Sequence, residues 1–277
     1  MITASLLIFS LVIEYMYDSI AEKRNKNIVQ ELFFSYKKLI KDYLEKFYMY
    51  ISFPIFIYIF MALLISIIGY LIHPFFSFLI NLIILFYCLR PNEFLMYLEM
   101  TIDKSSNFDD KRFKYIMTYS GDNRENLMIN IFHNSSRAIF NIIFFFLLLG
   151  PTGSLIYYII DCYINDNSYK VDAKSKKSFQ VILGVLEYLP VQLTVFSLAL
   201  VSDFEVCMSS YKSIKYDGDL YKYNKSLINK VGSDLIIKSK DNEDYESDQD
   251  IIKNLLSRSF LAWMSIIALL IFTGFFI

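Results

Sequence analysis

Hydrophobic positions along this chain fall in long blocks, not in the alternation of a sheet or the single stripe of a soluble surface helix. A helix needs about 20 apolar residues to cross the hydrocarbon core of a bilayer. Six stretches approach or reach that length: 2–17, 52–72, 75–89, 138–160, 179–201 and 260–277. The first is apolar as far as Ile13 and then meets Glu14. It lacks a basic leader and a small-residue cleavage site, so it reads as a span and not as a signal peptide. His73-Pro74 separates the second stretch from the third and predicts a helical hairpin. Gly150-Pro151-Thr152-Gly153 interrupts the fourth, and Glu187 with Pro190 interrupts the fifth. The expected fold is therefore all-α and polytopic. It is a single membrane domain of about six transmembrane helices, two of them broken at Gly/Pro, with helical cytoplasmic loops.

Six crossings sort the loops into two sets. Residues 18–51, 90–137 and 202–259 share one side, and they hold 23 Lys and Arg against 4 on the other side. The positive-inside rule puts those three loops in the cytoplasm. Lys174, Lys176 and Lys177 run against this, because they precede the fifth span on the expected outer side. A fourth segment that dips in at Gly150-Pro151 and returns would remove the conflict.

The loops carry patterns of their own. Val29, Leu32, Phe33, Tyr36, Leu39, Ile40, Tyr43, Leu44 and Phe47 repeat at helical spacing, with Lys37, Lys38 and Lys41 off the stripe. This helix lies on the inner leaflet or packs on the protein. Another helix is expected to start after Pro91, and Asp122 with Glu125 has the spacing of a capping box. Residues 238–250 hold six acids and two lysines without periodicity and read as solvated and disordered. The sequence shows no internal repeat.

Composition then narrows the class. The chain has 277 residues, 55% hydrophobic and 20% charged, with net charge −1. Soluble domains average about 25% charge, so a soluble enzyme is excluded, and the balance gives no footprint for nucleic acid. Cys88, Cys162 and Cys207 are isolated, and His73 and His133 are the only histidines. Neither a disulfide framework nor a metal site is expected. No cofactor is expected, and no phosphate-binding or hydrolase motif is present. The many Tyr and Phe read as the lining of lipid-facing helices.

Ionisable groups inside spans are costly and mark candidate sites. Glu187 stands near the middle of the fifth span, three residues before Pro190, whose ring removes a backbone donor and frees a carbonyl. Gln192 follows within a turn. Glu14 ends the first span, and Asn134 and Arg137 precede the fourth. Asp203 and Glu205 follow the fifth. The expected site is a polar cavity of Glu14, Asn134, Arg137, Glu187 and Gln192 near the cytoplasmic mouth, with Glu205 close by. The breaks at Gly150, Pro151, Gly153 and Pro190 would shape it. Its ligand would be small and polar or anionic, held by Arg137. The bilayer is the expected partner; no protein partner can be read from the sequence.

Three stretches resemble one family. SLLIFSLVIEYMYD at the start, GPTGSLIYYIIDCY at 150–163 and GVLEYLPVQLTVFSLALVSDFEVC at 184–207 are similar to the AmpE inner-membrane proteins. That family shares a superfamily with the CobD/CbiB membrane enzymes of cobalamin synthesis. Resemblance to AmpE implies a multi-pass protein of the bacterial inner membrane that modulates β-lactamase induction and the cell-wall stress response. Resemblance to CobD/CbiB implies an enzyme attaching an aminopropanol-type arm to a corrinoid carboxylate. The enzymes' polar set is altered here. His133-Asn134 and Arg137 stand near their acid-Asn pair, Tyr158-Ile159-Ile160-Asp161 replaces their Asn-Thr-Leu-Asp stretch, and Gln192 stands where the superfamily favours Arg. The expectation is thus a non-enzymatic AmpE-like modulator, with the cobalamin-type enzyme second and a small transporter third.

Overall fold

The computed structural model describes residues 27–40, 45–89, 130–241 and 248–273, together with Leu6 and Ser10. Every element among them is helical: α1 (Asn27–Ile40), α2 (Lys46–Leu71), α3 (Pro74–Cys88), α4 (Ile131–Ser135), α5 (Asn141–Asn165), α6 (Ala173–Val201), α7 (Phe204–Ser213), α8 (Leu220–Asp241) and α9 (Asp248–Phe272). A π-helical turn, Ser136–Phe140, joins α4 to α5. Four helical stretches are long and apolar enough to cross a membrane: Phe47–Leu71, Ile131–Asn165, Ala173–Val201 and Asp250–Leu270.

Six spans are therefore not reached among the described residues. The expected first span and Glu14 lie outside them, as does the helix expected around Asp122. The third, α3, has 15 residues, about 22 Å of helix against a hydrocarbon core of about 30 Å. The last span begins earlier than 260, because the polar turn before it and the apolar run form one helix from Asp248. The stretch 238–250, expected to be disordered, is helical at both margins: α8 continues to Asp241 and α9 starts at Asp248. Residues 242–247 lie outside the described set. Pro190 does not break its helix; α6 runs through it from Ala173 to Val201. One missing N–H costs a single rung, and the rungs on either side keep the helix going.

The chain divides into two compact units, Met1–Asn92 with Ile142–Phe179, and Glu93–Asn141 with Gln180–Ile277. Hydropathy does not mark this division.

The first unit is built on two chain reversals. His73 caps α3, its Nδ1 accepting from the Phe75 N–H at 3.2 Å, and Pro74 opens the return arm. Ser77 Oγ donates to the Ile65 carbonyl at 2.8 Å. The second reversal is inside α5. Gly150 has φ 72 and ψ −169, a conformation that an L side chain rarely adopts. Ser154 Oγ donates to the Ile142 carbonyl at 2.9 Å, and the Tyr157 ring stacks on Phe145 with centroids 5.1 Å apart. In a straight helix these partners, twelve positions apart, would be separated by about 18 Å. The fourth hydrophobic stretch therefore folds back at Gly150-Pro151.

Aromatic rings fill the core of this unit. Phe33 of α1 lies 5.7 Å from Tyr50, 5.3 Å from Phe53 and 5.5 Å from both Tyr163 and Tyr169. Phe179 closes the cluster 5.1 Å from Tyr163. Such pairs add about 0.5–1.5 kcal/mol each beyond burial. Val29 and Phe33 thus bury one face of α1 against the unit, while Ile28, Leu32 and Leu39 remain exposed.

In the second unit α8 approaches α6 closely. A Cβ on Gly184 would stand 2.5 Å from the Tyr221 nitrogen, so only glycine permits the crossing. Asn224 Nδ2 fastens it by donating to the Gly184 carbonyl at 2.8 Å. Trp263 of α9 packs on Phe140, with centroids 5.5 Å apart.

Candidate functional site

Glu187 is the midpoint of α6 and has no solvent exposure. An ionisable group there requires partners, and the second unit supplies them. His133 of α4, 2% exposed, places Nε2 3.5 Å from Glu187 Oε2. Asn141 Nδ2 donates to Glu187 Oε1 at 3.3 Å, and Ser136 Oγ donates to Asn141 Oδ1 at 2.9 Å. Behind the imidazole, the His133 backbone N–H donates to Asn229 Oδ1 at 3.1 Å, and Asn229 Nδ2 donates to Asn130 Oδ1 at 3.0 Å. The Tyr221 ring stands edge-on to the imidazole, with centroids 5.9 Å apart.

The π turn makes this arrangement possible. His133 and Asn141 are eight positions apart, which on a regular α-helix rotates them about 80° away from each other. A π turn inserts one extra residue, so the pair behaves as a seven-residue spacing, about 20° from eclipsed. Both side chains can then reach one carboxylate. Ser136 and Asn141 span the turn twice, through the Ser136 carbonyl to the Asn141 N–H and through their side chains. A wheel drawn on regular helix geometry hides this constellation. It also starts the span at 138, leaving His133 in a loop.

The other expected site residues are distributed differently. Asn134 and Arg137 meet each other: Arg137 Nη1 donates to Asn134 Oδ1 at 3.3 Å, and both are half-buried. Gln192 is buried, and its amide atoms have no hydrogen-bond partner among the described residues. Asp203 serves as the N-cap of α7, its carboxylate accepting from the Val206 N–H at 3.1 Å. Glu205 is exposed in the first turn of that helix, where a carboxylate suits the helix dipole. These two acids are accounted for by local helix chemistry. Pro151 and Gly153 belong to the reversal in the first unit, where a Cβ on Gly153 would meet the Phe145 carbonyl oxygen at 2.9 Å. Pro190 stays in α6, and its carbonyl accepts from Thr194 Oγ1 at 2.8 Å.

Chemically, a buried imidazole beside a carboxylate can hold or pass one proton and orient a polar ligand. Among the described residues no group of three His, Cys, Asp or Glu is placed to hold a metal ion. Comparisons with known protein families, with curated proteins and with solved structures gave no match for this chain.

Proposed function

We propose that this chain is an AmpE-like protein of the bacterial inner membrane that modulates β-lactamase induction and the cell-wall stress response without catalysing a reaction. The loops 18–51 and 90–137 face the cytoplasm. The buried set of His133, Asn141 and Glu187 is the element that responds to a small polar or anionic ligand, with Arg137 on the neighbouring turn as its anchor. One observation carries the reading: Glu187, from a stretch that resembles the family, is fully buried against His133 and Asn141. Burying an unneeded ionisable group in an apolar helix is costly, so the set is kept for use.

The test is a chromosomal deletion complemented with wild type, Glu187→Gln or His133→Gln, scored for β-lactamase induction by a β-lactam and for protein abundance in the membrane. The expected result is normal abundance with altered induction in both variants. Full complementation by both variants at normal abundance would sink this reading.

The imidazole–carboxylate pair also gives a second reading its footing, because such a pair is a general acid–base unit. That reading is a CobD/CbiB-like enzyme attaching an aminopropanol-type arm. Loss of cobalamin-dependent growth on deletion, restored by wild type but not by Glu187→Gln, would favour it.

A further inference from the structure

The two reversals of the first unit are copies of one design. Ser77 bonds Ile65 and Ser154 bonds Ile142, each across twelve positions. A proline opens each return arm, at Pro74 and Pro151, and the arms end at Cys88 and Asn165. Every one of these positions in the second hairpin lies 77 residues after its counterpart in the first. The open ends of both hairpins meet: Tyr87 packs on Tyr158 at 5.5 Å and Tyr50 on Tyr163 at 5.6 Å. At the apices, Tyr70 is 90% exposed, and Leu71, Ile72, Phe75, Leu148 and Leu149 are exposed with it.

We propose that both hairpins enter the bilayer from one face, bury their apices in the hydrocarbon and return to the same face. Each return arm has 15 residues, about 22 Å, too short to cross about 30 Å of hydrocarbon. The apices present apolar side chains where a crossing loop would present polar ones. Their backbone suits lipid: each proline deletes an N–H that no water could satisfy, and His73 caps another. The open ends are the polar ends. There Gln30 of α1 donates to the Ser168 carbonyl at 3.5 Å, with Lys37, Lys38, Lys170 and Lys174 nearby in sequence. Residues 27–40 and 166–177 therefore share one aqueous face, and the exposed Ile28, Leu32 and Leu39 of α1 rest on that leaflet. Lys170, Lys174, Lys176 and Lys177 then lie on the same side as Lys37 and Lys38 of α1.

The test uses the full chain carrying one added cysteine at Lys38, Lys174, Leu71 or Leu148, in spheroplasts and in inverted membrane vesicles. Cys88, Cys162 and Cys207 are buried, so the parent chain provides the background. A membrane-impermeant maleimide should label Lys38→Cys and Lys174→Cys from the same face only. It should leave Leu71→Cys and Leu148→Cys unlabelled from both faces, because a thiol in hydrocarbon does not form the reactive thiolate, and should label both once the chain is denatured in detergent. As a second measurement, a fluorophore at each apex should be quenched by brominated acyl chains. Labelling of Lys38→Cys and Lys174→Cys from opposite faces would overturn the proposal. So would labelling of either apex by the impermeant reagent. All four positions are exposed at the surface, so the substitutions leave the fold intact.

Discussion

The two units bury opposite chemistry. The first encloses rings: Phe33, Tyr50, Phe53, Tyr163, Tyr169 and Phe179 meet with centroids between 5.1 and 6.3 Å. The second encloses a carboxylate and carboxamides joined through hydrogen bonds of 2.9–3.3 Å, with the His133 imidazole 3.5 Å from the carboxylate. Dispersion and apolar burial are non-directional, so the ring cluster weakens in proportion to what is removed. A buried polar set is directional, and losing one member strands the others. The first kind of core can be assembled by composition alone, whereas the second must be specified atom by atom.

The largest expected effects test that contrast directly. Phe33→Ala should cost about 3–5 kcal/mol as a cavity in the first unit. Glu187→Ala should cost about 3 kcal/mol in the second, by leaving Asn141 Nδ2 and the His133 imidazole buried without their carboxylate. The two should part company on rescue. His133→Leu combined with Glu187→Leu should recover much of the loss, because replacing both polar partners by apolar side chains leaves neither buried without a partner. Denaturation of the detergent-solubilised protein reads all of these, and a double variant no more stable than Glu187→Ala would remove the contrast.

Backbone constraints come next. Gly232→Ala places a Cβ within 2.1–2.4 Å of the Phe132 ring, an overpacking expected to cost about 1–3 kcal/mol. Gly150→Ala meets open space but keeps φ 72 and ψ −169, so its cost should be only the strain of an extended positive-φ conformation that is essentially glycine's alone, about 1–3 kcal/mol. Smaller still, Ser77→Ala and Ser154→Ala each remove one hydroxyl-to-carbonyl bond and should cost about 1 kcal/mol. If the hairpins are copies, the two losses should match within error; a large inequality would break the equivalence.

The smallest effect is a pH dependence outside the spans. Burial pushes the Cys207 thiol above its ordinary 9.0, more than the Ser202 hydroxyl lowers it. The native state therefore keeps a proton that the unfolded chain releases. The stabilising contribution is complete below pH 9.0 and is lost as pH rises from there towards the folded value. The Tyr169 phenol of the first unit, also raised mainly by burial, should act in the same direction above pH 10.0. Denaturation midpoints from pH 8 upward should fall less steeply in Cys207→Ala, and an unchanged slope would remove the thiol from this account.

Much of the fold is legible in the sequence where the cause is local. The apolar blocks mark all four helical stretches that are long and apolar enough to cross a membrane. The Val29–Phe33–Tyr36 spacing marks α1, and Gly150-Pro151 marks a break because glycine and proline act on their own backbone. Glu187 stands out because an acid inside an apolar run is costly wherever the chain goes. The boundaries were less legible. Lys174, Lys176 and Lys177 are inside α6, and Asp250 and Lys253 inside α9, because a helix continues through charged turns at its aqueous end.

The sequence by itself determined the helical class, the apolar stretches, the breaking residues and the carboxylate that needed a partner. Each depends on the residue and its neighbours within a turn or two. Tertiary structure alone decided that His133 and Asn141 are Glu187's partners, since Asn141 lies 46 positions away and the alignment rests on a π turn. It also decided that the chain reverses at Gly150, and that the Pro74 and Pro151 hairpins are equivalent. A proline followed three residues later by a serine is too sparse a repeat to be seen along the chain. It becomes one when Ser77 and Ser154 each reach a carbonyl twelve residues back, because only a folded chain brings them within hydrogen-bond distance.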